Sequence, residues 1–142
     1  MTEQLDVAFA SLRADTDERF VSLRRQLGVS SFGMNLIALA PGQRGRIHRH
    51  ERQEEVYLVL EGELTLALGP GDERVLARGE LARVGPAVRR QLINAGAERL
   101  VLLALGGAGE HEGRDGRAWE SWEEGGDGRS PQDVPLPPDL PR

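Results

Sequence analysis

Three side chains in the first half of the chain have the types and spacing of a divalent-metal site: His48, His50 and Glu55. Alternate residues of a strand point to one side, so His48-Arg49-His50 projects both imidazoles into the same space. Imidazole nitrogens paired in this way make half of a site for a first-row divalent ion. After a short connection, Glu55, Tyr57 and Val59 share one face of the next strand, and Val56, Leu58 and Leu60 share the other. Glu55 then brings a carboxylate to the cavity that the histidines face. The opposite face is wholly apolar and must be covered by another sheet, by the N-terminal segment or by a second copy of the chain.

The elements that would hold these groups are short strands. Apolar segments recur at Phe32–Ala40, Val56–Leu60, Leu64–Leu68, Arg74–Ala77, Leu81–Val84, Val88–Ile93 and Leu100–Leu105. Turn signals separate them: Pro41-Gly42, Glu61-Gly62, Gly69-Pro70-Gly71-Asp72, Arg78-Gly79 and Asn94-Ala95-Gly96. Many short strands with Gly/Pro punctuation predict an antiparallel sandwich or barrel, with no helix of ordinary length between the turns. Three zones follow: an N-terminal segment over 1–28, a barrel over 29–108 and a Gly/Pro-rich tail over 109–142. In the first, Leu5, Phe9, Leu12 and Phe20 suit an amphipathic helix, while Arg19 to Leu27 would equally serve as an edge strand. The tail has few apolar side chains after Gly125, so it has no core of its own and is expected to be a loosely held arm. Trp119 and Trp122 are the exceptions, read as packing residues that pin its start to the barrel or to a partner. His111, between Glu110 and Glu112, reads as a solvated loop residue.

Composition narrows the chemistry. The 142 residues suit one domain, and 39% hydrophobic residues with only 4% aromatics make Leu, Val and Ala the filling of one core. There is no cysteine, so disulfides, thiolate metal sites and cysteine nucleophiles are excluded. All 18 basic residues are Arg, so no side chain can form a Schiff base. A net charge of -5 argues against nucleic-acid binding, although Arg44 to Arg52 could form a local basic rim. No run approaches the roughly 18 apolar residues of a membrane-spanning helix, and no basic-then-apolar leader opens the chain. A cytoplasmic protein with no membrane partner is the expectation.

The stretch Gly42-x5-His48-x-His50-x4-Glu55-x6-Gly62 resembles the first motif of the cupin superfamily at every fixed position. A shorter spacing variant would select Glu54 instead. The second motif resembles Gly79 to Asn94 more loosely: both anchors are kept, but Gly85 and Ala87 stand where the family has proline and glycine. Arg90 stands where the family places a fourth metal ligand, usually histidine. The resemblance implies an all-β fold, an antiparallel jelly-roll barrel (double-stranded β-helix) with an irregular C-terminal tail. It also implies a pocket at the barrel mouth and a homodimer, since small single-domain members commonly dimerise.

Arginine is cationic at neutral pH and has no lone pair for a metal. If Arg90 faces inward, two outcomes are open. His48, His50 and Glu55 could hold Fe, Mn, Ni or Zn as a three-ligand centre with open positions. Alternatively, the guanidinium could pair with Glu55 in a metal-free pocket, because two cations 4 Å apart repel by about 4 kcal/mol at an effective dielectric of 20. A one-residue register slip would turn Arg89 inward instead. Tyr57 reads as pocket wall, and with Arg90 as a ligand-contacting residue; no catalytic residue is singled out. The expected function is binding of a divalent metal, of a small anionic molecule, or of both. The alternatives are a metal-dependent enzyme, a dioxygenase or isomerase on a small polar substrate, and an interaction protein whose tail docks on a partner.

Overall fold

The computed structural model describes residues 5–107 and 115–141. Its elements are β1 (Phe20–Ser22), α1 (Leu23–Leu27), β2 (Gly33–Leu39), β3 (Ile47–His50), β4 (Glu54–Glu61), β5 (Leu64–Gly69), β6 (Asp72–Leu76), β7 (Leu81–Val84), β8 (Gln91–Ile93), β9 (Leu100–Gly107) and β10 (Gly116–Trp119), followed by a 3-10 turn (Pro131–Asp133). All strand pairs are antiparallel. One sheet runs β1-β2-β9-β4-β7. The other comprises β6-β5-β8 and β10-β3, tied by the reciprocal bonds His48 N to Arg90 O and Arg90 N to His48 O, both 2.9 Å. The chain is thus an all-β jelly roll, and its two sheets are not hydrogen-bonded into a closed ring among the described residues.

Alternation decides what each sheet buries. The inward faces of β4 and β9 contribute Tyr57, Val59, Leu100, Leu102 and Ala104, which pack against Leu64, Leu66 and Leu92 of the other sheet. The outward face of the five-stranded sheet makes a second cluster, in which Leu36, Ala38 and Val101 pack under Leu23 of α1. Leu60 and Leu103 border that cluster, while Val56 and Leu58 lie beyond it, half-buried. Gly62 turns β4 into β5 at φ 74, where a Cβ would run into the Arg99 carbonyl oxygen. Asn94 is wholly buried and ties three segments: its amide donates to Leu39 O at 2.9 Å and Glu98 O at 2.8 Å and accepts from Gly96 N at 3.1 Å.

The N-terminal segment differs from an amphipathic helix over Leu5–Phe20. Leu5 and Phe9 are 82% and 89% exposed, and the stretch before β1 is irregular. With no apolar surface waiting for that face, the helical pattern has nothing to stabilise it. Instead β1 pairs with β2 at the sheet edge, and α1 follows at once. Ser22 Oγ caps α1 by accepting from Arg25 N at 3.2 Å, and Gly28 ends it at φ 72.

The tail also differs from a loose arm. Strand β10 pairs with β3 across His48 and His50, Trp119 and Val134 are buried, and Leu140 N donates to Gly42 O at 2.7 Å. The bare edge of β3 supplies the pairing groups that a tail without its own core needs. Trp122 stays half-buried and carries less of this anchoring. Among the described residues, no helix is long and apolar enough to cross a membrane. His111 lies outside the described residues.

Candidate metal and ligand site

His48 and His50 leave β3 on the same side, with ring centroids 5.4 Å apart and planes nearly perpendicular. Glu55 enters from β4. Its Oε1 lies 3.4 Å from His48 Nε2 and 3.1 Å from His50 Nε2. Two donors each about 2.1 Å from one ion, at tetrahedral or octahedral angles, stand roughly 3.0–3.4 Å apart, so these separations match a shared ion. The three ligand atoms all lie within 4.8 Å of one another, and the cluster could hold a metal.

The far nitrogen of each ring settles what the near one can offer. His48 Nδ1 lies 3.1 Å from the Arg46 carbonyl oxygen, which can only accept. His50 Nδ1 lies 2.7 Å from Asp115 Oδ1. Asp115 also accepts from Arg52 N at 3.1 Å, from Gln53 N at 2.9 Å and from Gln53 Nε2 at 2.6 Å, donors that suit an ionised carboxylate. Each Nδ1 therefore carries the hydrogen, and in the neutral ring Nε2 is a bare lone pair. Two lone pairs and a carboxylate oxygen converge on one point, which calls for a cation between them: a metal ion or a proton. His50 Nε2 is buried and faces the Glu55 carboxylate at 3.1 Å.

The ionisation of the cluster follows the same geometry. Burial pushes the Glu55 carboxyl up, but hydrogen bonds and charge from His48 and His50 outweigh it and hold the group well below the usual carboxylate range. Burial pushes the His50 imidazole down, and Glu55 and then Asp115 more than offset this, so its pKa is raised. Burial of the Asp115 carboxyl is likewise outweighed, by the Gln53 backbone N–H and then by His50, and its pKa is lowered. Tyr57 is driven well above its ordinary value by burial and then by the Glu55 charge. It stays a neutral donor, 2.5 Å from Glu55 Oε1.

Arg90 reaches the cluster from behind. It is wholly buried; its Nε donates to the Tyr57 hydroxyl at 3.2 Å, its Nη1 to Val88 O at 2.7 Å, and its Nη2 stands 3.4 Å from Glu55 Oε1. The pairing of His48 with Arg90 excludes the slipped register. Arg89 points away and stacks over Trp119 with its guanidinium carbon 3.7 Å from the ring centroid. Glu54 is also outside, paired with Arg83 at 2.5 Å, so Glu55 is the inward carboxylate. His48, His50, Glu55 and Tyr57 line a cup of about 620 Å³; Arg90 lies beneath its floor and does not line it.

Sequence reasoning missed Asp115, 65 residues from the histidine it orients. Nothing in the Gly-rich stretch around it marks that role; only its position one residue before β10 delivers it. Also missed were Arg19, Arg24 and Arg25, which line the same cup together with Arg46 of the expected basic rim.

A family model described as a cupin domain matches residues 35–106, which spans β2 to β9 and contains all of the cluster but Asp115. The chain belongs to the cupin family. This cupin is similar in structure to a cupin-superfamily sugar phosphate isomerase from Silicibacter pomeroyi, at 24% identity and a TM-score of 0.61, covering 72% of this chain and 65% of that one. It thus spans just under two thirds of that protein. A cupin protein from Bacteroides fragilis is similar at 22% identity and a TM-score of 0.64, covering 78% of this chain and 92% of that one. An oxalate oxidase bound to the substrate analogue glycolate is similar at 21% identity and a TM-score of 0.54, over 76% of this chain and 59% of that one. At these identities the likeness is one of fold. No curated protein matches the sequence significantly.

Proposed function

We propose that this cupin binds a divalent metal ion through His48 Nε2, His50 Nε2 and Glu55, and takes a small anionic molecule into the cup above it. The observation that carries this reading is the commitment of both Nδ1 atoms, to Arg46 O and to Asp115, which leaves three acceptors converging where a cation belongs. An N2O donor set suits Fe, Mn, Ni or Zn better than Mg or Ca. A bound ion would supply Lewis-acid polarisation of an oxygen on the small molecule. Arg90 closes the side where another ligand would stand, so its role is electrostatic: it holds Glu55 and Tyr57 in place and favours an anion near the centre. Tyr57 supplies pocket wall and a hydrogen bond to the carboxylate.

Calorimetric titration of chelator-stripped protein with Mn2+, Ni2+ and Zn2+ tests the reading. Near 1:1 binding that disappears in His48→Ala and Glu55→Gln is the expected result. A stripped protein that takes up none of these ions would end it.

The open positions of a three-ligand centre favour catalysis as the second reading, an isomerase or dioxygenase acting on a small polar substrate. The S. pomeroyi sugar phosphate isomerase and the oxalate oxidase supply the first two assays, aldose–ketose phosphate interconversion and oxygen uptake with small acids. A homodimer goes with either reading, because Leu81 is 63% exposed beside half-buried Val56 and Leu58 on the outer sheet face.

A further inference from the structure

The chain carries a net charge of -5, yet the cup is lined by four arginines and one carboxylate. The carboxylate, Glu55, already has the Arg90 guanidinium at 3.4 Å and the Tyr57 hydroxyl as partners. Arg19, Arg24, Arg25 and Arg46 form no salt bridge with any described residue, whereas Arg49, Arg83, Arg117 and Arg129 on the outside are paired. A half-buried guanidinium without a counter-charge is costly, and several around one cavity are more so.

Two of these side chains are held by backbone carbonyls and not by contact ion pairs, and Asp139 is the one carboxylate near enough to act on Arg19. Arg19 donates through Nη2 to Arg44 O at 2.6 Å, and Arg46 through Nε to Val134 O at 2.7 Å. Each bond ties one corner of the guanidinium to backbone and leaves its other donors without a protein acceptor among the described residues. Arg24 Nε is buried with no hydrogen-bond partner among the described residues. Burial depresses the Arg19 pKa; Asp139 opposes that, and the positive charge of Arg46 adds to it, so the two guanidiniums stand close enough to repel. The planar arginine fork matches the oxygen pair of a carboxylate or phosphate. A cavity of about 620 Å³ admits a small molecule rather than a polymer.

We propose that Arg19, Arg24 and Arg46 form an oxyanion site at the wall of the cup, which takes the carboxylate or phosphate end of a small molecule whose other end faces His48, His50 and Glu55. This rests on the reading that the cup holds a small anion, and it assigns the recognition to these three residues and not to Arg90. The site is assembled from three separate places, the approach to β1, the helix α1 and the residue before β3. The N-terminal segment is therefore part of the binding site and not only a cover for the sheet.

The test is calorimetric titration of the full chain, stripped of metal by chelator and then freed of the chelator, with inorganic phosphate, glycerol 3-phosphate and succinate. Arg19→Gln, Arg46→Gln and Arg24→Gln are compared with wild type and with the exposed control Arg74→Gln. Each cup variant is expected to weaken the best probe at least about tenfold, the loss of one charge-assisted fork, with the control unchanged. Arg46→Lys, which keeps the charge but loses the fork, is expected to fall between Arg46→Gln and wild type. The phosphate and succinate arms tell which oxyanion the site prefers. Metal titration of the same variants is expected to stay within about threefold of wild type, since the sites are separate. Anion binding without metal uptake would sink the metal reading and leave this one standing. A wild type that binds none of the probes, or cup variants that bind as tightly as the control, would overturn the oxyanion site.

Discussion

Arg90 and Asp115 act on the same histidine–carboxylate cluster from opposite sides. Arg90 places a cation 3.4 Å from the Glu55 oxygen that a metal would share. Replacing it by histidine removes that repulsion and adds an imidazole. Arg90→His is therefore expected to tighten Zn2+ or Mn2+ binding by at least about tenfold, a cautious share of the roughly 4 kcal/mol that two cations 4 Å apart exert at a dielectric of 20. Unchanged affinity in calorimetry would mean the guanidinium does not oppose the ion. Asp115 works in the other direction by fixing the His50 tautomer. Asp115→Asn can still accept from the Arg52 and Gln53 backbone, but it no longer presents a charge to His50. Metal affinity is expected to fall about 10–100-fold with the fold retained. The check is metal titration together with an unchanged circular-dichroism spectrum; a loss of structure would recast Asp115 as a folding residue.

At the scale of elements, the β4–β5 turn and the β3–β10 pair hold the site, and each has a single residue that tests it. Gly62 combines φ 74 with a carbonyl where a Cβ would go, while Gly79 has φ 84 and open space around it. Gly62→Ala is expected to cost about 3 kcal/mol and Gly79→Ala about 1 kcal/mol, since only the first adds a clash to the left-handed strain. Urea denaturation of both variants measures the difference, and equal losses would show that the turn relaxes freely. Trp119 is 2% exposed, sandwiches against Arg89 and ends the strand that pairs with His48 and His50. Trp119→Ala is expected to lower stability by about 3–5 kcal/mol. A denaturation midpoint close to that of wild type would return the tail to the status of a loose arm.

Across the whole molecule, the two faces of the five-stranded sheet meet different fates. Its inner face packs against the second sheet beside the cup, while α1 covers only part of its outer face. Leu81 remains 63% exposed opposite Leu58, in line with Leu103 on the neighbouring strand. Such a patch supports the proposal that a second copy of the chain covers it. Light scattering after size exclusion is expected to give twice the 15.6 kDa chain mass, and Leu81→Asp to return it to one. A monomeric wild type at tens of micromolar would remove the dimer.

Local spacing alone determined a good part of this protein. Strand alternation fixes that His48 and His50 share a side and that Glu55, Tyr57 and Val59 share a face, because a period of two is a property of the backbone itself. Turn glycines mark the strand ends for an equally local reason, the positive φ that they alone adopt cheaply. What packing decided lies beyond any window of sequence. Asp115 meets His50 across 65 residues, Arg19 reaches the Arg44 carbonyl across 25, and Arg46 reaches Val134 across 88. The exposed Leu5 and Phe9 make the same point from the other side, since a helical pattern forms a helix only where the fold offers it a surface. Those partners are chosen by which edges and faces the finished sheets leave open, and no spacing rule along the chain encodes them.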